Sequence, residues 1–187
     1  MNPVEIASNY FQEMKSLGRN THFCLSTLSS EGFPNNRFLD LKKIDHGGFY
    51  FGTDMRSTKA REFLSHNKVA ACLWWEAIGI QIRIRGEVFR TDLETTNAAF
   101  AERNPTAQAT SALSEQSQSL RDPDELKRRV LELVDESQGQ VPRPATWWLW
   151  GIWPAEVEIL EFTEDRIHAR TRYEKEGETW VSRRLSP

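Results

Sequence analysis

From Ile80 to Arg85 the chain alternates without a break, with Ile80, Ile82 and Ile84 interleaved by Gln81, Arg83 and Arg85. A period of two sends each set to one side of an extended strand, so one face is core and the other polar. Such a strand needs partners, and the flanking sequence supplies them. Thr21 to Lys43 holds two β-rich runs around Ser29-Ser30-Glu31-Gly32-Phe33-Pro34, whose Gly and Pro suit a turn between antiparallel strands. A second hairpin follows, where Asp45-His46-Gly47-Gly48 offers residues tolerant of positive φ before the strand-forming Phe49-Tyr50-Phe51. Strands resume at Val69. After Val141-Pro142-Arg143-Pro144, the runs Trp147 to Trp153, Val157 to Phe162, Arg166 to Tyr173 and Trp180 to Leu185 read as three or four final strands. Consecutive strands with short connections and few helices predict a mainly β, antiparallel, Greek-key-like sheet closed into a barrel with flanking helices. The regular strand and helix alternation of an α/β fold is absent.

Helices are marked by their caps. Asn2-Pro3 starts one, because Asn can cap free amides and Pro at the first helical position has no amide to leave unpaired. Val4, Ala7, Tyr10, Phe11, Met14 and Leu17 form its stripe, and Gly18 ends it. Ser57 caps a short helix reaching about Asn67 with Ala60, Phe63 and Leu64 inward. Asp92 to Arg103 reads as helical, and Asp122-Pro123 opens another helix with Leu126, Val130, Leu133 and Val134 along its stripe. Asn104 to Ser119 is polar and carries no assignment. At 187 residues the chain, 1–187, is expected to form one domain.

A net charge of -3 leaves no global basic field for a polyanion, so nucleic-acid binding is not expected. No stretch approaches the ~18 apolar residues of a membrane span, and Met1 to Leu17 lacks the pattern of a secretory signal, so a cytoplasmic protein is expected. Cys24 and Cys72, in apolar alternating stretches without CxxC spacing, are expected to be reduced core thiols. There is no Walker loop, GxGxxG, HExxH or GxSxG motif. The four histidines lack metal-ligand spacing.

Three features point toward a site. Asn36 to Arg90 holds ten Lys or Arg against six Asp or Glu, a local +4 in an acidic chain, read either as a solvated sheet face or as a focused site for a small anion. In Arg166-Ile167-His168-Ala169-Arg170 a strand period places Arg166, His168 and Arg170 on one face, which would face a ligand or an acidic partner or lie exposed. Trp74-Trp75 and the Trp147, Trp148, Trp150 and Trp153 group could stack on an aromatic ligand, but neighbours on a strand point to opposite faces, and packing in the core or at a subunit interface is favoured.

The ordered segments RFLDLK (Arg37 to Lys42), GGFYFGTDMRSTKAREF (Gly47 to Phe63), QIRIRGEVFR (Gln81 to Arg90), SEQS (Ser114 to Ser117), VPRP (Val141 to Pro144), RIHAR (Arg166 to Arg170) and the final WVSRRLSP resemble the pyridoxamine 5'-phosphate oxidase family from about Asn36 to Pro187. The resemblance implies a flavin mononucleotide (FMN) binding split β-barrel and a homodimer with FMN at the subunit interface. It implies that Arg37, Thr53, Ser57 and Lys59 line the FMN phosphate and ribityl chain, with Thr58 where a basic residue is expected and Lys42 at the edge of the same motif. Gln81 would address the flavin ring, with Gln116, Ser117 and Arg170 completing the site from other parts of the dimer. A phosphate dianion suits Arg and Lys donors with Ser or Thr beside them, and a neutral flavin edge suits amides.

For the substrate, the resemblance assigns Lys42 and Arg103 to an anion clamp and Arg166 and His168 to a pair beside the reacting ring. It implies hydride transfer from a small aromatic substrate, such as pyridoxamine or pyridoxine 5'-phosphate, to FMN, with oxygen regenerating the flavin and releasing hydrogen peroxide. Ala99 and Ala107 replace a clamp tyrosine and serine, and Leu160 replaces a tryptophan expected near the flavin. Those departures keep open a related oxidase or reductase on another small aromatic, as in the phenazine-biosynthesis flavin oxidases, and a non-catalytic flavin-binding module. The phosphate assignment of Arg37 and Lys59, taken as exposed charges, leads to the expectation that replacing both by Ala abolishes flavin binding with little unfolding.

Overall fold

The computed structural model describes residues 2–45 and 47–187. It opens with helix α1 (Pro3–Ser16), where the Asn2 side chain accepts from the Val4 amide at 3.0 Å and Val4, Ala7, Phe11 and Met14 are buried. Leu17 falls at the C-cap and is exposed. The first hairpin joins β1 (His22–Leu28) and β2 (Pro34–Asp40), with Gly32 at a φ of +84° in the turn. β3 (Lys43–Asp45) and β4 (Gly48–Asp54) form the second; the His46 of its predicted turn lies outside the described residues. α2 (Thr58–Ser65) is capped by Ser57 as expected, but Leu64 is exposed, because Lys59, Ala60, Glu62 and Phe63 take the inward side.

Then follow β5 (Lys68–Trp75), a 3-10 turn, β6 (Ile80–Arg90), α3 (Leu93–Ala101), α4 (Pro105–Leu113), α5 (Pro123–Glu136), β7 (Trp147–Glu161), β8 (Ala169–Glu176) and β9 (Thr179–Leu185). α4 sits where the sequence carried no assignment. Its start uses the same device as α1: the Asn104 side chain accepts from the Ala107 amide at 2.7 Å ahead of Pro105.

All strands are antiparallel in the order β2-β1-β5-β6-β7-β4-β3, with β8 on β7 and β9 on β8. β7 creates the split. Its first half pairs with β4 and its second half with β8, while β6 runs beside it from Trp150 to Glu161. The runs Trp147 to Trp153 and Val157 to Phe162, expected as separate strands, are one: although Pro154 cannot donate to a ladder, the register slips at Arg85 and Gly86 and the chain runs on through a bulge. Gly86 is required there, since a Cβ would stand 2.2 Å from the Trp153 carbonyl oxygen. The product is a mainly β split barrel with flanking helices.

Inside the curl lie Phe23, Leu25, Phe49, Phe51, Leu73, Trp75, Ile82, Ile84, Ile152 and Val157, closed over by α1 and α2. Phe23, Phe51, Phe63 and Trp150 meet edge to face at centroid distances of 4.8 to 6.2 Å. The cysteines are not in this core. Both are free and half-buried on the opposite face, where Cys24 faces Cys72 across β1 and β5, because Phe23 and Leu25 occupy the inward positions. Among the described residues no helix is long and apolar enough to cross a membrane.

Candidate active site

The end of β4 and the start of α2 build a cradle for an anion. Thr53 is the last inward hydroxyl of β4, and the chain then turns on Asp54. That carboxylate accepts from the Arg56 amide at 2.7 Å, from two Arg56 guanidinium nitrogens at 3.1 and 2.8 Å, and from the Thr146 hydroxyl at 3.0 Å. Burial opposes its ionisation, but these donors hold its pKa below the usual carboxylate value. The turn brings Ser57 to the N-cap, 3.3 Å from the Thr53 hydroxyl, and places Lys59 in the first helical turn.

Lys59 is 7% exposed and donates to Thr53 Oγ1 and Gln116 Oε1, both at 3.1 Å. Among the described residues no carboxylate lies within ion-pair distance of it. Burial first, and the Arg37 charge second, push its pKa down to about 8. Arg37 reaches in from β2 and donates to Glu62 at 3.2 Å, while Thr27 and Asn35 donate to the same carboxylate at 2.5 Å each. Burial works against ionised Glu62, yet these three partners hold its pKa below normal.

The 114–119 segment closes the cradle. Gln116 accepts from Thr53 as well as Lys59, and Ser117, at a φ of +72°, accepts from the Thr58 amide at 3.2 Å. Thus Arg37, Thr53, Ser57, Thr58, Lys59, Gln116 and Ser117 meet within one chain. Gln116 and Ser117 therefore contact the cradle of their own chain, where the sequence reading had put them in another part of a dimer. The expectation that Arg37 and Lys59 are exposed charges fails too, since one is buried and the other pairs with a buried carboxylate. Arg61, not singled out from sequence, donates to the Thr58 hydroxyl at 3.4 Å and so carries a guanidinium to the place where a basic side chain is missing. Its position three residues after Thr58 was the available signal.

Lys42 and Arg103 come together elsewhere, lining a cavity of about 330 Å³ with His22, Asp40, Gly52 and Trp147. Lys42 donates to Asp40 at 3.1 Å. Arg103 lies against Phe100 and Trp147, 5.5 and 5.0 Å from their ring centres, and its buried Nη1 has no hydrogen-bond partner among the described residues. Burial lowers its pKa. Ala99 packs on the neighbouring Tyr50, Phe100, Trp147 and Leu149 cluster and offers no donor.

Gln81 and Arg170 stand on the outer face of the sheet, in register with Leu160 between them. Arg170 donates to Glu158 Oε1 from Nε at 3.3 Å and Nη2 at 2.8 Å, and to the Ser186 carbonyl at 3.0 Å. Glu158 is 1% exposed and also receives Arg83 and Arg172. Burial again opposes its charge, and the Arg170 and Arg172 hydrogen bonds outweigh it, holding its pKa low.

The predicted three-cation strand face does not form. Asp165 accepts from the Thr163 hydroxyl at 2.6 Å and the Ile167 amide at 2.9 Å, Arg166 takes a φ of +63°, and β8 begins only at Ala169. A side-chain-stabilised turn overrides the period-two pattern. Arg166 is exposed in that turn, and His168 accepts at Nδ1 from the Thr163 amide at 3.2 Å. Among the described residues, no hydrogen bond or ion pair joins Gln81, Arg166, His168 or Arg170 to the cradle.

The cradle fits a phosphate group. A buried ammonium surrounded by neutral oxygens and a second cation, at a capped helix N-terminus, lacks only an anion to balance it. A split barrel with such a cradle, and with a second cationic cavity elsewhere, defines a protein built to hold a phosphate-bearing ligand. Comparison with known proteins gives the family. The model for the FMN-binding domain of pyridoxamine 5'-phosphate oxidase matches residues 4–92. The pyridoxine/pyridoxamine 5'-phosphate oxidase of Colwellia psychrerythraea is 37% identical over 164 residues, covering 87% of this chain and 76% of the relative. That of Rubrobacter xylanophilus is 32% identical over 188 residues, covering 99% and 87%. Among solved structures, PhzG from Burkholderia lata 383, in complex with tetrahydrophenazine-1-carboxylic acid, superposes with a TM-score of 0.91 at 27% identity, covering 100% of this chain and 93% of that one. The chain belongs to the pyridoxamine 5'-phosphate oxidase family and is an oxidoreductase with FMN as cofactor.

Proposed function

We propose that this protein is an FMN-dependent oxidase of a small, anionic, reduced aromatic substrate, working as a homodimer of single-domain chains with FMN between the subunits. The observation that carries the reading is Arg103: a half-buried guanidinium whose buried Nη1 has no hydrogen-bond partner among the described residues, sharing a cavity with Lys42, supports an anionic ligand group. Bound FMN would supply the redox chemistry, hydride acceptance from the substrate and reoxidation by oxygen to hydrogen peroxide. The chain's own residues bind and orient. Arg37, Thr53, Ser57, Lys59, Gln116 and Ser117, with the Thr58 amide, would hold the flavin phosphate and ribityl chain. Lys42 and Arg103 would fix the substrate anion, Gln81 and Arg170 would meet the flavin ring, and Arg166 and His168 would border the reacting ring.

A two-fold dimer brings each chain's outer sheet face to the other's cradle, which would complete two equal sites. That, among the described residues, Gln81, Arg166, His168 and Arg170 make no hydrogen bond or ion pair to the cradle of their own chain supports this arrangement. The test is peroxide release by purified yellow protein with pyridoxamine 5'-phosphate, pyridoxine 5'-phosphate and tetrahydrophenazine-1-carboxylic acid. Flavin without turnover of any of the three refutes the proposed substrate class. Ala99 and Ala107, which supply no side-chain donors, favour a second reading in which the anion is the carboxylate of a tricyclic substrate, the ligand held by the PhzG relative.

A further inference from the structure

The cross-strand row holding Gln81 and Arg170 ends in aromatic rings with no role so far. Trp74 lies directly opposite Gln81, Gln81 opposite Leu160, and Leu160 opposite Arg170. Their side chains thus stand abreast on the outer face of β5 to β8, about 4.8 Å from strand to strand. Trp75 points into the core at 1% exposed, but Trp74 remains 48% exposed. Phe162, 45% exposed, stands beside Trp74 with ring centres 4.6 Å apart, and His168 meets Phe162 at 4.4 Å. The backbone sets this shelf: the Phe162 amide donates to the Gly79 carbonyl at 2.8 Å, and Gly79 holds a φ of +64°. The Thr163 amide occupies His168 Nδ1, so a neutral imidazole carries its proton on Nε2.

We propose that Trp74 and Phe162 form a stacking subsite that selects planar fused-ring substrates over single-ring ones. The inference rests on the roles given above to Gln81 and His168. Two large half-exposed rings leave apolar surface in water that a flat ligand would cover, and offset or tilted ring contacts add ~0.5–1.5 kcal/mol beyond the area buried. The shelf has the Gln81 amide next to Trp74 in its row and the His168 imidazole at the far end of its stack, which matches a flat heteroaromatic with polar edges rather than an aliphatic plug. A single ring held beside His168 reaches Phe162 at most, whereas a second or third fused ring extends to Trp74. Leu160 removes one expected ring from the row, and Trp74 and Phe162, packed on each other, restore aromatic surface on the same face. The two alanines at the anion clamp fit the same division, with fewer polar donors and more ring contact.

Calorimetric titration of the flavin-loaded, full-length protein tests this, with phenazine-1-carboxylate as the fused-ring probe and pyridoxal 5'-phosphate as the single-ring probe. Trp74→Ser and Phe162→Ser should each lower the ratio of fused-ring to single-ring affinity about tenfold, and Trp74→Phe should restore most of it. Equal loss of both probes, an unchanged ratio, or no binding of phenazine-1-carboxylate to the wild type overturns the proposal. So does conversion to a monomer without change in the ratio, which would make the rings a subunit contact. Failure of the wild type to take up FMN refutes the oxidase reading instead. The same titration of flavin-free protein then judges the shelf alone, where identical affinities in wild type and Trp74→Ser overturn it.

Discussion

Lys59 separates binding from stability, and replacing it by Met should move the two in opposite directions. Burial and the Arg37 charge bring its pKa from 10.5 to about 8 in the flavin-free protein. At ~1.4 kcal/mol per pH unit, holding this ammonium charged in the fold costs up to about 3 kcal/mol. The unfolded chain binds the proton more tightly, so the cost is complete below pH 8, declines between pH 8 and about 10.5, and vanishes above. Flavin-free Lys59→Met should therefore gain stability at pH 7, by at most about 3 kcal/mol before packing changes are counted. The wild type should grow more stable relative to this variant as pH rises from 8 to 10. Flavin affinity should fall, because a charge-assisted bond to phosphate contributes ~1.5–3 kcal/mol, roughly ten- to 150-fold. Urea unfolding of the flavin-free proteins across that pH range and fluorescence titration with FMN give both quantities. A variant less stable than wild type at pH 7, or one with unchanged flavin affinity, refutes the reasoning.

Arg37→Ala should destabilise the flavin-free protein by about 3 kcal/mol because it leaves Glu62 buried without its cation; Arg37→Ala with Glu62→Gln should recover much of that loss in urea unfolding. Glu158→Gln should weaken FMN binding through disordered Arg170 without touching the cradle, and flavin fluorescence titration reads the effect. Because Glu158 has a lowered pKa, its contribution to stability is present above its unfolded value of ~4.3 and lost as pH falls through the folded one, so acid unfolding of wild type and Glu158→Gln should converge at low pH. Ala99→Tyr with Ala107→Ser should raise kcat/KM for pyridoxamine 5'-phosphate about tenfold to a hundredfold, at ~1 kcal/mol per added hydrogen bond; no gain favours a substrate without phosphate.

The barrel was legible because its signals are local. Alternation at Ile80 to Arg85 gave β6, and Ser57, Asn2 and Asp122 gave helix starts from side chains that bond amides two or three residues away. Asn104-Pro105 carries the same signal but lies in a polar stretch with a weak apolar stripe, so the sequence alone does not mark α4. Motif resemblance located the cradle residues, but not their state of burial. Lys59 looks from sequence like any charged helix residue; only the closure of the 114–119 segment over it makes it a buried cation. The Arg166 to Arg170 pattern misled because Asp165 can bond both Thr163 and Ile167, and such a turn outweighs strand periodicity in a segment without a buried face. Arg61, Glu62 and Glu158 escaped notice because a surface charge and a partnered one have the same letter.

The sequence alone determined which residues alternate, where helices begin and which family the motifs resemble, since each depends on neighbours a few positions apart. Tertiary structure alone decided that Trp74 is open while Trp75 is buried, that Arg170 is held by Glu158, and that Arg37, Lys59 and Gln116 share one cradle. These are contacts between segments up to tens of residues apart, and the charge state and exposure of each side chain follow from the neighbours that folding brings, not from the ones that the chain supplies.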